Sequence, residues 1–245
     1  MRNTRLEIVS NECIALRTWK MVLEGDVSDV TCPGQFVDIA LEGKFLRRPI
    51  SVSDRNEGSI TLIYKVVGDG SEKMSRMAAG ESLEVLEGLG NGFCADKCKG
   101  SALLVGGGVG AAPLYYLAKE LLSAGRKVTV VLGFNTKSEV VLEQEFKAIG
   151  ADCLIATMDG SHGTRGLVTD AMRTLDRQFD YFYTCGPKVM MKAVCEALDI
   201  PGEVSMEERM GCGCGICYGC TCHTTGGARR VCADGPVFSK EEIIW

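Results

Sequence analysis

Apolar residues alternate with polar ones along the first part of the chain and change period beyond Gly100. Phe36-Val37-Asp38-Ile39-Ala40, Ser59-Ile60-Thr61-Leu62-Ile63-Tyr64 and Ser82-Leu83-Glu84-Val85-Leu86 read as short strands, with turn residues such as Pro33-Gly34 between them. Residues 1–99 therefore predict a small antiparallel barrel. One helix is expected from Ser71, where Ser71-Glu72-Lys73-Met74 caps its own first turn. Past Gly100, Ser101–Val105 is a buried strand that runs into glycines, followed by an amphipathic segment, Ala111–Leu122, and a second strand, Val128–Leu132. Further strands are expected at Asp152–Ala156 and Tyr181–Thr184, with helices near Val140–Ile149, Gly166–Leu175 and Val189–Leu198. Alternating strands and helices over residues 100–205 predict a parallel-sheet α/β domain. From Met206 the chain is rich in Cys and Gly with little periodicity, and residues 206–245 read as a loop subdomain.

Composition narrows the choices. The 245 residues are 46% hydrophobic, enough for real cores, and suit two domains with a small appendage. Net charge is −5 with Lys and Arg scattered, which argues against a nucleic-acid surface. No apolar run approaches the ~20 residues of a membrane span, and the N-terminus lacks a signal core, so a cytoplasmic protein is expected. Six of the thirteen cysteines crowd between Cys212 and Cys232, while seven are spread singly. In a cytoplasmic chain a local cluster reads as metal binding rather than a disulfide framework.

Within that cluster, Cys212, Cys217, Cys220 and Cys232 are separated by four, two and eleven residues. This is the plant-type spacing for a [2Fe–2S] cluster held by four thiolates. A structural zinc site is the alternative, but zinc prefers two Cys-x-x-Cys arms and only one is present. Cys214 and Cys222 are left unligated, and His223 reads as a surface residue. A second site is Arg48-Pro49-Ile50-Ser51 at the end of a strand, where an arginine beside a hydroxyl suits a diphosphate and a flavin ring. Downstream, Gly70-Ser71 opens a helix whose N-terminus suits a phosphate. Third, Gly106-Gly107-Gly108-Val109-Gly110 follows a buried strand and opens a helix, the context of a nucleotide-binding turn and equally of a close-packed strand–helix turn. The second strand ends at Gly133-Phe134-Asn135 without the ribose-binding carboxylate of the dinucleotide fingerprint. Cys185-Gly186-Pro187 follows a later strand, Tyr181–Thr184, at another carboxyl-end position where ligands bind in such sheets, and reads equally simply as a turn. With two histidines and no nucleophilic or acid–base set, the chain reads as moving electrons rather than transforming a substrate.

The order of these motifs resembles the ferredoxin reductase-like flavoproteins. The cysteine loop and the ending Val231-Cys232-Ala233-Asp234-Gly235-Pro236-Val237-Phe238 narrow the resemblance to the electron-transfer subunits of type B, NAD-linked dihydroorotate dehydrogenases. The resemblance implies FAD on the barrel, held by Arg48, Pro49, Ile50 and Ser51 and lined by Ile63, Tyr64 and Lys65, with Gly70 and Ser71 at phosphate. It implies NAD(H) as substrate of the middle domain, at Gly107, Gly108, Gly110, Cys185, Gly186 and Pro187, and Cys212, Cys217, Cys220 and Cys232 as ligands of a [2Fe–2S] cluster. The implied partner is an FMN-containing catalytic subunit that oxidises dihydroorotate in pyrimidine biosynthesis, two copies of each chain forming a heterotetramer. A related small subunit of ferredoxin–NADP oxidoreductases or sulfide dehydrogenases is the nearest rival. Those relatives often carry Asp at the first ligand position, where this chain has Cys212. A zinc-stabilised binding module without redox function is the rival from another class.

Overall fold

The computed structural model describes residues 1–245. The N-terminal part comprises β1 (Arg2–Ala15), β2 (Thr18–Glu24), β3 (Phe36–Ala40), β4 (Arg48–Asn56), β5 (Ser59–Lys65), α1 (Asp69–Ser75) and β6 (Ser82–Leu89). Its six strands close into an antiparallel barrel in the order β1-β2-β5-β4-β3-β6. Period-2 alternation fills the interior: Leu6, Ile8, Met21, Leu23, Val37, Ile39, Leu62 and Val85 are buried together. One inward position on β6 is Glu87, fully buried, and its carboxylate meets Arg2 Nη2 at 2.7 Å.

The second part runs β7 (Ser101–Gly107), α2 (Ala111–Ser123), β8 (Lys127–Phe134), α3 (Glu143–Ala148), β9 (Asp152–Thr157), β10 (Thr164–Arg165), α4 (Val168–Met172), β11 (Tyr181–Cys185), α5 (Lys188–Ala197) and β12 (Gly202–Ser205). A hairpin of β13 (Thr221–Thr224) and β14 (Gly227–Arg230) precedes β15 (Val237–Ser239). The large sheet has the order β10-β9-β8-β7-β11-β12-β15, parallel except where β15 pairs antiparallel to β12. From β7 the chain winds outward through β8 to β9, then returns to place β11 and β12 on the other side. The crevice at the carboxyl ends of β7 and β11 is thus the switch point where ligands bind in such sheets.

Two helices are shorter than the apolar pattern predicts. Leu142 adopts a left-handed conformation, φ +64°, so α3 starts at Glu143 and not at Val140. A short 3₁₀ turn, Lys137–Glu139, occupies the preceding segment. Gly166 has φ +122°, and the Asp170 carboxylate accepts the Leu167 N–H at 2.8 Å, which delays α4 to Val168. The hairpin and β15 lie in the Cys/Gly-rich stretch, where periodicity gave no strand signal.

An apolar core joins all three regions: Phe36 and Leu89 of the barrel, Met191 and Val204 of the α/β part, and Cys220, Val231, Cys232 and Phe238 of the C-terminal part.

Candidate functional site

At one end of the barrel the structure gathers the Arg48–Ser51 strand and the start of α1. The Arg48 guanidinium lies over the Gly70 backbone so closely that a Cβ there would fall 1.9 Å from Nε. Arg48 Nη1 donates to the carbonyls of Leu46 at 2.6 Å and Arg47 at 3.2 Å. Ser71 Oγ accepts the N–H groups of Val67 at 2.9 Å and Gly68 at 3.2 Å, which fixes the loop entering α1. A cation above a bare glycine at a helix start is a cradle for a phosphate. Pro49, Ile50 and Ser51 follow on β4, all half-buried. Ile63 and Tyr64 point into apolar cores, the Tyr64 hydroxyl donating to Asn11 Oδ1 at 2.9 Å, so their side chains are turned away from this end and only their backbone is free to meet a ligand there. Burial of Tyr64 pushes its phenol up to about 12.

A cavity of about 610 Å³ opens at the switch point. Its floor is the glycine turn after β7, which nests against the end of β11. Added to Gly110, a Cβ would sit 2.4 Å from the Cys185 carbonyl oxygen, and on Gly107 it would sit 2.9 Å from Pro187 Cδ. The turn and Cys185-Gly186-Pro187, read separately in the sequence, therefore form one surface. Burial pushes the Cys185 thiol far up, so it stays protonated. At the β8 side Glu139 folds back from the 3₁₀ turn and lines the cavity. Its carboxylate accepts Asn135 Nδ2 at 2.9 Å and meets Lys65 Nζ at 3.1 Å. Although no acid follows β8 directly, one reaches its end from five residues on, a signal that a fingerprint search misses. Across the cavity, Glu207 lines the wall two residues after β12. Lys137 borders a different hollow, with His162. His162 Nε2 lies 2.7 Å from Glu143 Oε2, a structural partner that the sequence did not suggest.

The cysteine loop crosses the top of the apolar core that joins all three regions. Each of the four expected ligand sulfurs accepts a backbone N–H: Cys212 from Ile216 at 3.3 Å, Cys217 from Gly219 at 3.4 Å, Cys220 from Cys232 at 3.4 Å and Cys232 from Gly215 at 3.1 Å. Cys212 lies beside both Cys217 and Cys214, and Cys220 beside Cys232. No three His, Cys, Asp or Glu side chains converge around a single ion's position. Four cysteines at the plant-type spacing, on a loop whose backbone N–H groups point at sulfur, fit a [2Fe–2S] cluster better than one zinc ion. Burial opposes ionisation of Cys212, but the Cys217 and Cys214 N–H groups outweigh it and hold the thiol down to about 6. Burial and the neighbouring Cys220 push Cys232 up to about 12. Cys214 also lies beside Cys212, whereas Cys222 is buried on β13 and His223 is exposed. Arg230 clamps the loop: its guanidinium forks onto Asp234 at 3.0 Å on both sides and donates to the Gly215 carbonyl at 2.9 Å. Beneath the loop Asp38 of β3 faces Gly213, with Oδ1 buried and unpartnered. Its burial pushes the carboxyl up to about 6.

Comparison with known proteins places this arrangement. The iron–sulfur cluster binding domain of dihydroorotate dehydrogenase B matches residues 207–244, and the oxidoreductase NAD-binding domain matches residues 104–196. The "Dihydroorotate dehydrogenase B (NAD(+)), electron transfer subunit" of Bacillus caldolyticus is 43% identical over 252 residues, 98% of each chain. That of Fusobacterium nucleatum is 42% identical over 250 residues, 96% of each. Among solved structures, the NADH-dependent reduced ferredoxin-NADP oxidoreductase superposes with TM-score 0.90 at 38% identity, over 98% of this chain and 90% of that one. A ferredoxin NADP+ reductase from Neisseria gonorrhoeae, solved with FAD and NADP, shares the fold at TM-score 0.70 and 16% identity, over 80% of this chain and 90% of that one. With full-length similarity and a matching cluster-binding domain, the chain belongs to the family of electron transfer subunits of NAD-linked dihydroorotate dehydrogenase B.

Proposed function

We propose that this chain carries electrons between a dihydroorotate-oxidising catalytic subunit and NAD⁺, with FAD on the barrel end, NAD(H) in the switch-point cavity and a [2Fe–2S] cluster in the cysteine loop. The observation that carries the reading is the shared core. Phe36, which pairs with Ser51 on the strand proposed to hold FAD, packs in the same apolar core as Cys220 and Cys232 and as Val204, just upstream of the cavity wall. Three sites with three chemistries are thereby held in fixed relation.

Arg48, with Gly70 and Ser71, would hold the FAD diphosphate, and Pro49, Ile50 and Ser51 would orient the ring along β4. Ile63, Tyr64 and Lys65 close the same end, the first two through backbone. Gly107, Gly108 and Gly110 would let the backbone approach the NAD(H) diphosphate, while Cys185, Gly186 and Pro187 shape the neighbouring wall. Cys212, Cys217, Cys220 and Cys232 would ligate the cluster, their N–H contacts stabilising negative charge on sulfur. Bound flavin exchanges a hydride with nicotinamide and single electrons with an iron–sulfur centre, joining two-electron to one-electron chemistry. The division into residues 1–99, 100–205 and 206–245, a cytoplasmic setting, and two copies of each subunit in a heterotetramer belong to the same proposal.

An absorption spectrum of the purified protein, with iron, sulfide and flavin quantified, tests it. Flavin bands with a bleachable iron–sulfur shoulder and two irons per FAD are expected. A colourless, zinc-containing protein would overturn it, once cofactor loss during preparation is excluded by reconstitution.

A further inference from the structure

Four thiols suffice for a [2Fe–2S] cluster, yet a fifth, Cys214, stands among those proposed as ligands. The four are not held alike. Cys220 and Cys232 are each 2% exposed and belong to the apolar core that joins the three regions. Cys212 is half-buried and Cys217 exposed, both on the open part of the loop. Cys214 lies on that open side, its thiol beside Cys212 and near Cys217. The Ile216 N–H, which donates to Cys212 Sγ at 3.3 Å, is directed at the Cys214 sulfur as well. An N–H group that would stabilise a ligand thiolate at position 212 therefore serves one at 214.

The flanking backbone fixes Cys214 in this place. Gly213 has φ +65° and Gly215 φ +85°, so the chain turns sharply on each side of it. A Cβ on Gly213 would fall 2.5 Å from Asp38 Oδ2, and one on Gly215 would fall 2.7 Å from Ala233 Cβ. The Gly215 N–H also donates to Cys232 Sγ at 3.1 Å, which ties the residue after Cys214 to a core thiol. Cys222, the other cysteine outside the ligand set, differs. It sits in the apolar core on β13, held by pairing with β14.

We propose that Cys214 is a reserve ligand of the cysteine loop, taking the iron bond of Cys212 when that thiolate is lost. The exchange moves no electron. The Cys214 thiol gives its proton to water, and its sulfur forms the bond to iron that position 212 no longer supplies. Cys220 and Cys232, locked in the core, have no such substitute. The inference rests on the reading of the loop as a [2Fe–2S] site, and its test separates the two. The full-length chain and its variants are reconstituted anaerobically with iron and sulfide. Iron and sulfide per flavin are then measured, with the electron paramagnetic resonance spectrum of the reduced protein. Cys214→Ala is expected to match the parent in content and spectrum. Cys212→Ala keeps roughly half or more of the parent's iron, because four thiolates remain within reach, and its g-values shift because one ligand has moved. Cys212→Ala/Cys214→Ala and Cys220→Ala each fall below roughly a tenth of the parent's iron, since three thiolates do not hold the cluster. Parent-like flavin content shows that each variant is folded, and Cys212→Gly repeats the comparison should the alanine chain lose flavin. A Cys212→Ala protein as depleted as the double variant overturns the inference. So does iron retained by the double variant, or iron lost from Cys214→Ala alone, which would make Cys214 the resident ligand. A parent chain that takes up no iron and sulfide would overturn the reading of the loop itself.

Discussion

Adding one methyl group at Gly110 is the sharpest probe of the nucleotide turn. The alanine Cβ would lie 2.4 Å from the Cys185 carbonyl oxygen, 2.6 Å from its carbon and 2.8 Å from Gly186 Cα. All three are backbone atoms of the β11 end, so no side chain can rotate away. Ordinary carbon contacts begin at roughly 3.5 Å, so turn and strand must separate by about 1 Å. Overpacking of this kind costs roughly 1–3 kcal/mol, and backbone obstruction puts Gly110→Ala near the top of that range. Gly110 is the N-cap of α2, where alanine offers no helix-forming advantage over glycine, so the loss stays at about 2–3 kcal/mol. For a chain this long each kcal/mol lowers the melting temperature by roughly 2–4 °C, so Gly110→Ala is expected to melt about 4–12 °C lower. Gly108 is the control: nothing lies within 4 Å of its Cβ position, but φ is +56°. Gly108→Ala is expected to cost only the left-handed strain, about 1–2 kcal/mol. Scanning calorimetry on both variants, paired with ADP-ribose titration, reads the outcome. A Gly110→Ala protein that melts within 1 °C of the parent and binds ADP-ribose unchanged would refute the packing of the turn on β11.

The remaining expectations are more local. Cys220→Ser loses electron transfer between the partner and NAD⁺ but keeps FAD, whereas Cys214→Ser keeps two irons per chain; full coupled activity in Cys220→Ser would sink the ligand assignment. Arg48→Ala purifies with less than a tenth of the parent's flavin, since it removes the charge-assisted contact proposed for the diphosphate, and flavin fluorescence after denaturation measures the loss. The Asp38 carboxyl, pushed by burial up to about 6 in the folded chain from the usual carboxylate value of about 4, keeps its proton more readily folded than unfolded. Its contribution is therefore complete below pH ~4 and fades as pH rises to ~6. Asp38→Asn is expected to stabilise the cluster-free protein by on the order of 2–3 kcal/mol at pH 7 and to flatten that part of the pH profile; denaturant unfolding from pH 4 to 7 checks both.

How far the sequence foretold this arrangement depended on whether a site was local. The four cysteines proposed as ligands sit within one short stretch, so their spacing carries the chemistry. The barrel and parallel sheet followed from period-2 strands such as Ser82–Leu86 and from alternation after Gly100. What escaped was brought together by tertiary folding. Glu139 reaches the end of β8 because the 3₁₀ turn Lys137–Glu139 bends the chain back. Glu207 becomes a cavity residue only because β12 lies beside β11. Asp38 alternates within an ordinary strand pattern, and nothing local says that a cysteine loop will cover it. His162 likewise gains Glu143 from a helix whose start was misplaced by the apolar run ahead of it.

The C-terminal part is not an appendage resting on two finished domains. Its β15 completes the large sheet against β12. Asn91, two residues past β6, donates to the Val237 carbonyl at 2.7 Å and accepts the Val237 N–H at 3.0 Å. Gly90 lies so close to Pro236 that a Cβ would meet its Cδ at 2.5 Å. Barrel, sheet and cysteine loop are therefore cross-braced by backbone-level contacts, and burial of Phe36, Leu89, Val204, Val231 and Phe238 rewards all three at once. Electron transfer demands fixed separations between centres, and interiors packed like these resist continuous deformation. Apolar contacts that stabilise the fold thus also set the distance from the strand proposed to hold flavin to the cysteine loop, since two of the four thiols proposed as ligands, Cys220 and Cys232, are themselves members of that core.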